Sequence, residues 1–197
     1  DPSSMGSCFI GGNIAENSGG ARALKYGVTK DYVLNLEVVL PTGDVIWTGA
    51  NTLKNSTGYN LTQLMVGSEG TLGIVTKIVL KLLPQNKHNV LLLVPFYKAE
   101  QACEAVSAIF RAGIVPSALE FMERDAIDWT LKFVDGLNVE VKDNVQAHLL
   151  IEVDGNYPEI LMQEAEQILA VVEQFEIDEV LFADTEKKKN ALWKMRR

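Results

Sequence analysis

The chain is short of the residues that build metal and thiol sites. Among 197 residues there are two cysteines, Cys8 and Cys103, and two histidines, His88 and His148. The cysteines stand in unrelated contexts with no Cys-x-x-Cys pair, which argues against a thiolate metal centre and for a reduced, cytoplasmic compartment. Neither histidine has a carboxylate pair at ligand spacing, so both read as surface or core residues and no metal ligand is assigned. No apolar run approaches the roughly 20 residues that span a bilayer, so no transmembrane segment is expected. Basic residues are outnumbered, 18 Lys and Arg against 26 Asp and Glu, for a net charge of −8. With no basic stripe interleaved with aromatics, a nucleic-acid partner is disfavoured.

The charge is uneven. Residues 1–86 hold six basic and six acidic residues, whereas residues 87–197 hold twelve against twenty. The break coincides with Leu83-Pro84-Gln85-Asn86, which predicts two domains, 1–86 and 87–197. With 47% apolar residues the chain can give each a core.

Glycine is where the first half is rich. Residues 6–20 read Gly-Ser-Cys-Phe-Ile-Gly-Gly-Asn-Ile-Ala-Glu-Asn-Ser-Gly-Gly, and residues 67–75 read Gly-Ser-Glu-Gly-Thr-Leu-Gly-Ile-Val. Such runs let bare backbone approach a flat, phosphate-bearing ligand, because no Cβ stands in the way. Tight turns beside a hairpin would also use glycine pairs. Neither run fits Gly-x-Gly-x-x-Gly or a Walker A motif, and neither contains a lysine, which argues against a Rossmann fold and a nucleotide kinase.

In order along the chain come Gly6–Gly20, Ala23-Leu24-Lys25-Tyr26-Gly27, Leu36-Glu37-Val38-Val39-Leu40-Pro41-Thr42-Gly43, Thr57-Gly58-Tyr59 and Gly67–Val75. This succession resembles the FAD-binding domain of flavin-linked D-2-hydroxyacid dehydrogenases, the group holding D-lactate dehydrogenase, the glycolate oxidase flavin subunit and D-2-hydroxyglutarate dehydrogenase. From Lys87 to Arg197 the chain resembles the start of that family's cap domain more loosely. The resemblance implies an α+β chain, the second half of a vanillyl-alcohol-oxidase-type FAD-binding domain followed by part of a ferredoxin-like α/β cap. It carries FAD contacts onto Ser4, Gly11, Gly12, Asn13 and Ala15, and onto Glu69, Gly70, Gly73, Ile74 and Val75. Glu69 could instead cap the following turn. Main-chain amides around Asn13 and Thr71 are then expected to converge on one flavin.

Leu192-Trp193-Lys194-Met195-Arg196 resembles the family's Leu-Trp-x-x-Arg, whose arginine pairs with the substrate carboxylate; that role falls on Arg196. A solvated helix-end arginine is the plainer alternative. By the same resemblance, the catalytic histidine and a site for a divalent metal such as zinc belong further along a longer parent. The parent would oxidise a D-2-hydroxy acid by hydride transfer to FAD and pass electrons to a separate acceptor. The run Gly6–Asn13 leans towards the hydroxyglutarate branch, with lactate and glycolate open. Homo-oligomerisation and peripheral membrane attachment of the parent stay open. The ends, Asp1-Pro2-Ser3-Ser4 and Met195-Arg196-Arg197, are read as those of a proteolytic or cloned fragment, expected to be inactive and to hold FAD weakly. A non-catalytic small-ligand or regulatory module, with structural glycine runs, is the alternative function.

Patterning predicts a hairpin over Tyr32–Thr48 with its turn at Pro41-Thr42-Gly43-Asp44, a short helix over Asn60–Val66 and a strand over Ile74–Leu83. Beyond the break it predicts strands over Val90–Pro95, Ser117–Met122, Ala147–Val153 and Glu179–Phe182. Helices are expected over Lys98–Ala112, Asp125–Val134, Pro158–Gln174 and from Glu186 onward. The alternation suggests helices on one face of a ferredoxin-like sheet. Glu120, Glu123 and Asp125 read as a helix cap and solvated helix start, and Lys187-Lys188-Lys189 as a wet helix face.

Overall fold

The computed structural model describes residues 4–134 and 140–196. The chain divides into two compact units, Asp1–Gln85 and Asn86–Arg197, each with its own sheet.

In the first unit, β1 (Val33–Val39) lies between β2 (Val45–Trp47) and β3 (Ile74–Leu80), all antiparallel. The β1–β2 hairpin closes at the expected turn. The Leu40 N–H donates to the Asp44 carbonyl at 2.8 Å, and Gly43, at φ 89°, donates back to Leu40 at 2.8 Å. β3 ends at Leu80 rather than Leu83. Its partner β1 begins at Val33, opposite Leu80, and the last inter-strand bond is Lys81 N–H to the Tyr32 carbonyl. Among the described residues no further β1–β3 pairing follows.

Two short helices cover this sheet. α1 (Ile10–Glu16) contributes Ile14 and α3 (Leu61–Met65) contributes Met65 to a core around Leu36 and Val38. α2 (Ala23–Tyr26) and a 3-10 turn at Thr29–Asp31 lead from α1 to β1. α3 starts where Asn60 Oδ1 accepts the Gln63 N–H at 3.1 Å, a side-chain N-cap. At the entry to β3, Gly73 lies hard against β1. A Cβ there would stand 2.6 Å from Val38 Cγ1 and 2.9 Å from the Val39 carbonyl oxygen.

The second unit runs β4 (His88–Phe96), α4 (Ala99–Arg111), β5 (Ala118–Glu123), α5 (Arg124–Phe133), β6 (Ala147–Gly155), α6 (Pro158–Val172), β7 (Leu181–Ala183) and α7 (Glu186–Arg196). The sheet order is β5-β6-β4-β7, entirely antiparallel, with α4 and α6 as the crossovers of a split βαβ plan. One expectation needs correction, because helices cover both faces. α4 and α6 pack on Val90, Leu92, Val94 and Phe96 together with Leu149 and Ile151. α5 and α7 bring Ile127, Leu192 and Met195 onto Leu91, Leu93 and Leu150. β4 and β6 are near-continuous apolar runs, and a strand without alternation must be buried on both sides.

His148 sits in β6 at 2% exposure, and its Nδ1 has no hydrogen-bond partner among the described residues. Burial, and then the charge of Arg124, pushes its pKa down to about 4.

Two outcomes follow from this packing. Gly73→Ala should lower the urea-unfolding stability of the first unit by about 1–3 kcal/mol, since the clash meets backbone as well as a side chain. His148 stays neutral in the folded state down to about pH 4, whereas an unfolded histidine protonates near pH 6.5. The unfolded state therefore binds the proton first. Stability should fall as pH drops from about 6.5 to about 4, by at most about 3 kcal/mol from this group, and His148→Gln should flatten the decline in urea midpoints.

Candidate functional site

The first glycine run is not an open loop. Ile10–Glu16 within it is the helix α1, which carries Gly11, Gly12, Asn13 and Ala15. Two glycines in a helix cost roughly 1 kcal/mol each relative to alanine. Burial of Ile14, a turn just ahead of the helix and capping at its end offset that. At the start, the Ser4 carbonyl accepts the N–H groups of Ser7 (3.0 Å) and Cys8 (3.1 Å), and the Asn13 amide nitrogen Nδ2 donates to Cys8 Sγ at 3.5 Å. Hydrogen bonds from Ser4 and Asn13 hold the Cys8 thiol below its ordinary pKa. At the end, Asn17 adopts φ 50° and the Ser18 N–H returns to the Asn13 carbonyl at 3.0 Å, a Schellman-type stop.

The second run completes that stop. The Gly67 N–H donates to the Ile14 carbonyl at 2.9 Å and the Glu69 N–H to the Ala15 carbonyl at 3.1 Å. The two runs are therefore in direct contact. The amides expected to face a ligand are not the free ones, however. Asn13 N–H is spent on the Phe9 carbonyl (3.0 Å) and Thr71 N–H on the Ser68 carbonyl (2.9 Å). The second run turns through three left-handed positions, Gly67 (φ 80°), Glu69 (φ 51°) and Gly70 (φ 75°). Glu69 thus acts on α1 through its main chain. Val75 packs at the margin of the sheet core, while Ile74 keeps its side chain 61% exposed.

Beyond the left-handed Gly67 and Gly70, the glycines of the two runs differ in what requires them. Gly73 is required by its neighbours in β1. Gly11 and Gly12 are exposed, have ordinary φ, and show no atom within 4 Å of a built Cβ. Nothing in the folded unit demands glycine there, and helix propensity opposes it.

In the second unit, Arg196 lies in the last turn of α7, whose Leu192 and Met195 are buried. Its Nε donates to Glu120 Oε2 at 2.8 Å, with the two side chains 31% and 19% exposed. Glu120 is therefore a half-buried strand residue rather than part of a helix start, while Glu123 and Asp125 are exposed. Lys189, one heptad before Arg196, departs from the wet face as well. It is 7% exposed and donates to Asn89 Oδ1 (2.8 Å) and Glu186 Oε1 (3.0 Å). Asn89 Nδ2 donates in turn to Glu152 Oε2 (2.9 Å), and Ser117 Oγ to Glu152 Oε1 (2.9 Å). The sequence holds a signal for both acids: each is flanked on both sides by apolar strand residues, Leu119-Glu120-Phe121 and Ile151-Glu152-Val153. Among the described residues no group of three or more His, Cys, Asp or Glu could hold a metal ion.

Comparison with known proteins places this geometry. Residues 85–197 match the family of FAD linked oxidases, C-terminal domain, and residues 1–49 match an FAD binding domain. The glycolate oxidase subunit GlcD of Bacillus subtilis is 45% identical over 197 residues, all of this chain and 41% of that protein. D-lactate dehydrogenases of Anaerostipes hadrus and Archaeoglobus fulgidus are 43% and 40% identical, each over 95% of this chain and 40% of their own length. The chain thus spans about 40% of the length of these curated relatives. Two structures of alkyldihydroxyacetonephosphate synthase superpose with TM-scores of 0.72 and 0.76 at 21% and 20% identity. They cover 99% and 100% of this chain and 37% and 38% of their own, and show a shared fold. With the family match extending over more than half of its residues, the chain belongs to the FAD-linked oxidases.

Proposed function

We propose that the full-length protein is a flavin-dependent dehydrogenase that oxidises a D-2-hydroxy acid and hands electrons to a separate acceptor. The observation that carries the cofactor half of this reading is the pair Gly11 and Gly12. Two residues that weaken their own helix, and that no neighbour requires to be glycine, are explained by a ligand lying on the bare backbone. Ser4, Asn13 and Ala15 flank that face. Glu69, Gly70, Gly73, Ile74 and Val75 supply the adjoining turn, in which Gly73 serves the sheet and Ile74 offers exposed apolar surface.

The names of the relatives, glycolate oxidase and D-lactate dehydrogenase, support a short 2-hydroxy acid and favour it over 2-hydroxyglutarate. Arg196 is assigned to its carboxylate. A planar guanidinium can donate two parallel hydrogen bonds to such a group, and this one is partly accessible. FAD, when bound, supplies the two-electron chemistry; the protein's part is to hold and orient. The 197-residue chain alone is inactive and retains flavin weakly.

The direct test is a dehydrogenase assay of the full-length protein with an artificial electron acceptor and D-lactate, glycolate and D-2-hydroxyglutarate in turn. Turnover with bleaching of the flavin spectrum is expected for at least one of the first two. Absence of substrate-dependent bleaching with all three would instead favour a ligand-binding module. A second test separates ligand from fold. Gly12→Ala should leave the apoprotein as stable or up to about 1 kcal/mol more stable. The same change should weaken flavin binding by about tenfold or more, equivalent to about 1.4 kcal/mol. Unchanged flavin affinity would remove the role given to the glycine pair.

A further inference from the structure

Arg196 is not free to present its whole guanidinium. Nε is committed to Glu120 Oε2 at 2.8 Å, and Glu120 is its hydrogen-bond partner among the described residues. The stem is fixed from the other side, because Leu192 and Met195 bury the same helical turn against Leu91, Leu93 and Leu150. What remains for a ligand is the outer edge, Nη1 and Nη2, which can meet a carboxylate end-on with two parallel hydrogen bonds. The side-on mode, which needs Nε, is closed.

We infer that Glu120 is a positioning residue for substrate binding: it locks the Arg196 guanidinium so that its terminal edge alone receives the carboxylate of the 2-hydroxy acid. The inference rests on the proposed role of Arg196. Two effects of Glu120 oppose each other. Its charge repels an incoming carboxylate, while its hydrogen bond removes the freedom of a long side chain that would otherwise be lost on binding. Orientation outweighs repulsion here, because Arg196 remains partly open to solvent, which screens charge more than it affects geometry. Glu120, flanked by the apolar Leu119 and Phe121, meets its partner where α7 seats on this face of the sheet.

Steady-state kinetics of the flavin-loaded full-length enzyme test this, with D-lactate or glycolate as the acid. Arg196→Ala should raise KM. Glu120→Ala should raise KM about tenfold with kcat within about twofold, the mark of lost ground-state binding. Glu120→Gln keeps an acceptor for Nε without the charge, and should return KM to within about threefold of wild type, which separates orientation from electrostatics. In the Arg196→Ala background, Glu120→Ala should add less than about twofold, since a residue acting through Arg196 has nothing left to position. If Glu120→Ala yields no folded enzyme, Glu120→Asp, which draws the carboxylate back by one methylene, should raise KM about threefold. The inference is overturned by an unchanged or lowered KM in the Ala or Asp variant, by effects of Glu120→Ala and Arg196→Ala that multiply, or by a Gln variant as impaired as Ala. An Arg196→Ala enzyme with wild-type KM would sink the carboxylate role itself. A raised KM there with an insensitive Glu120 would sink only the positioning.

Discussion

The last carbonyls of α1 need donors, and they receive them from the backbone of Gly67 and Glu69. A seven-residue helix containing two glycines cannot persist by propensity, since nucleation is costly and each glycine adds to it. It persists because Ile14 is buried in the sheet core and because its end is closed by a segment some fifty residues later in the chain. That distant closure brings the two glycine runs together, fixes the turn at 67–70 and sets Gly73 against Val38. Apart from Ser4, just ahead of the first run, every residue assigned to the flavin in this chain belongs to one of the two runs so joined.

The second unit solves a different problem. Its sheet face towards α4 and α6 is uniformly apolar, whereas the face towards α5 and α7 mixes leucines with Glu120, His148 and Glu152. α7 meets these groups with two cations a heptad apart, Lys189 through Asn89 to Glu152, and Arg196 directly to Glu120. Buried and half-buried ion pairs contribute little net stability, because desolvation offsets attraction. Their value is orientational: they allow α7 one seating on the sheet, where leucines alone would tolerate several.

Much of this architecture was legible in the sequence, and the reasons are physical. The β1–β2 hairpin, the proline-led α6 and the four strands of the second sheet each carry a local signal in turn chemistry, proline placement or apolar patterning. α1 was not legible, because its stability is tertiary and its local composition reads as loop. The second helical layer is signalled only by β4 and β6, whose lack of alternation demands cover on both faces. Lys189 and Glu120 depart from the solvated pattern for a related reason. Charged residues are usually solvated, and nothing short of the packed pair shows that each has found its counterpart. For the candidate site, the glycine runs announced themselves by composition. Which glycines serve the fold, and which leave room for something else, emerged only from the space around each one.

The left-handed turn at residues 67–70 has one further consequence. Glu69 carries a side chain at φ 51°, a conformation that costs a non-glycine residue roughly 1 kcal/mol and lasts only while its surroundings enforce it. Here the enforcement comes from the Ala15 carbonyl, so the turn and α1 form a single cooperative latch. Whatever rests on one half and firms it must, by thermodynamic reciprocity, tighten the other.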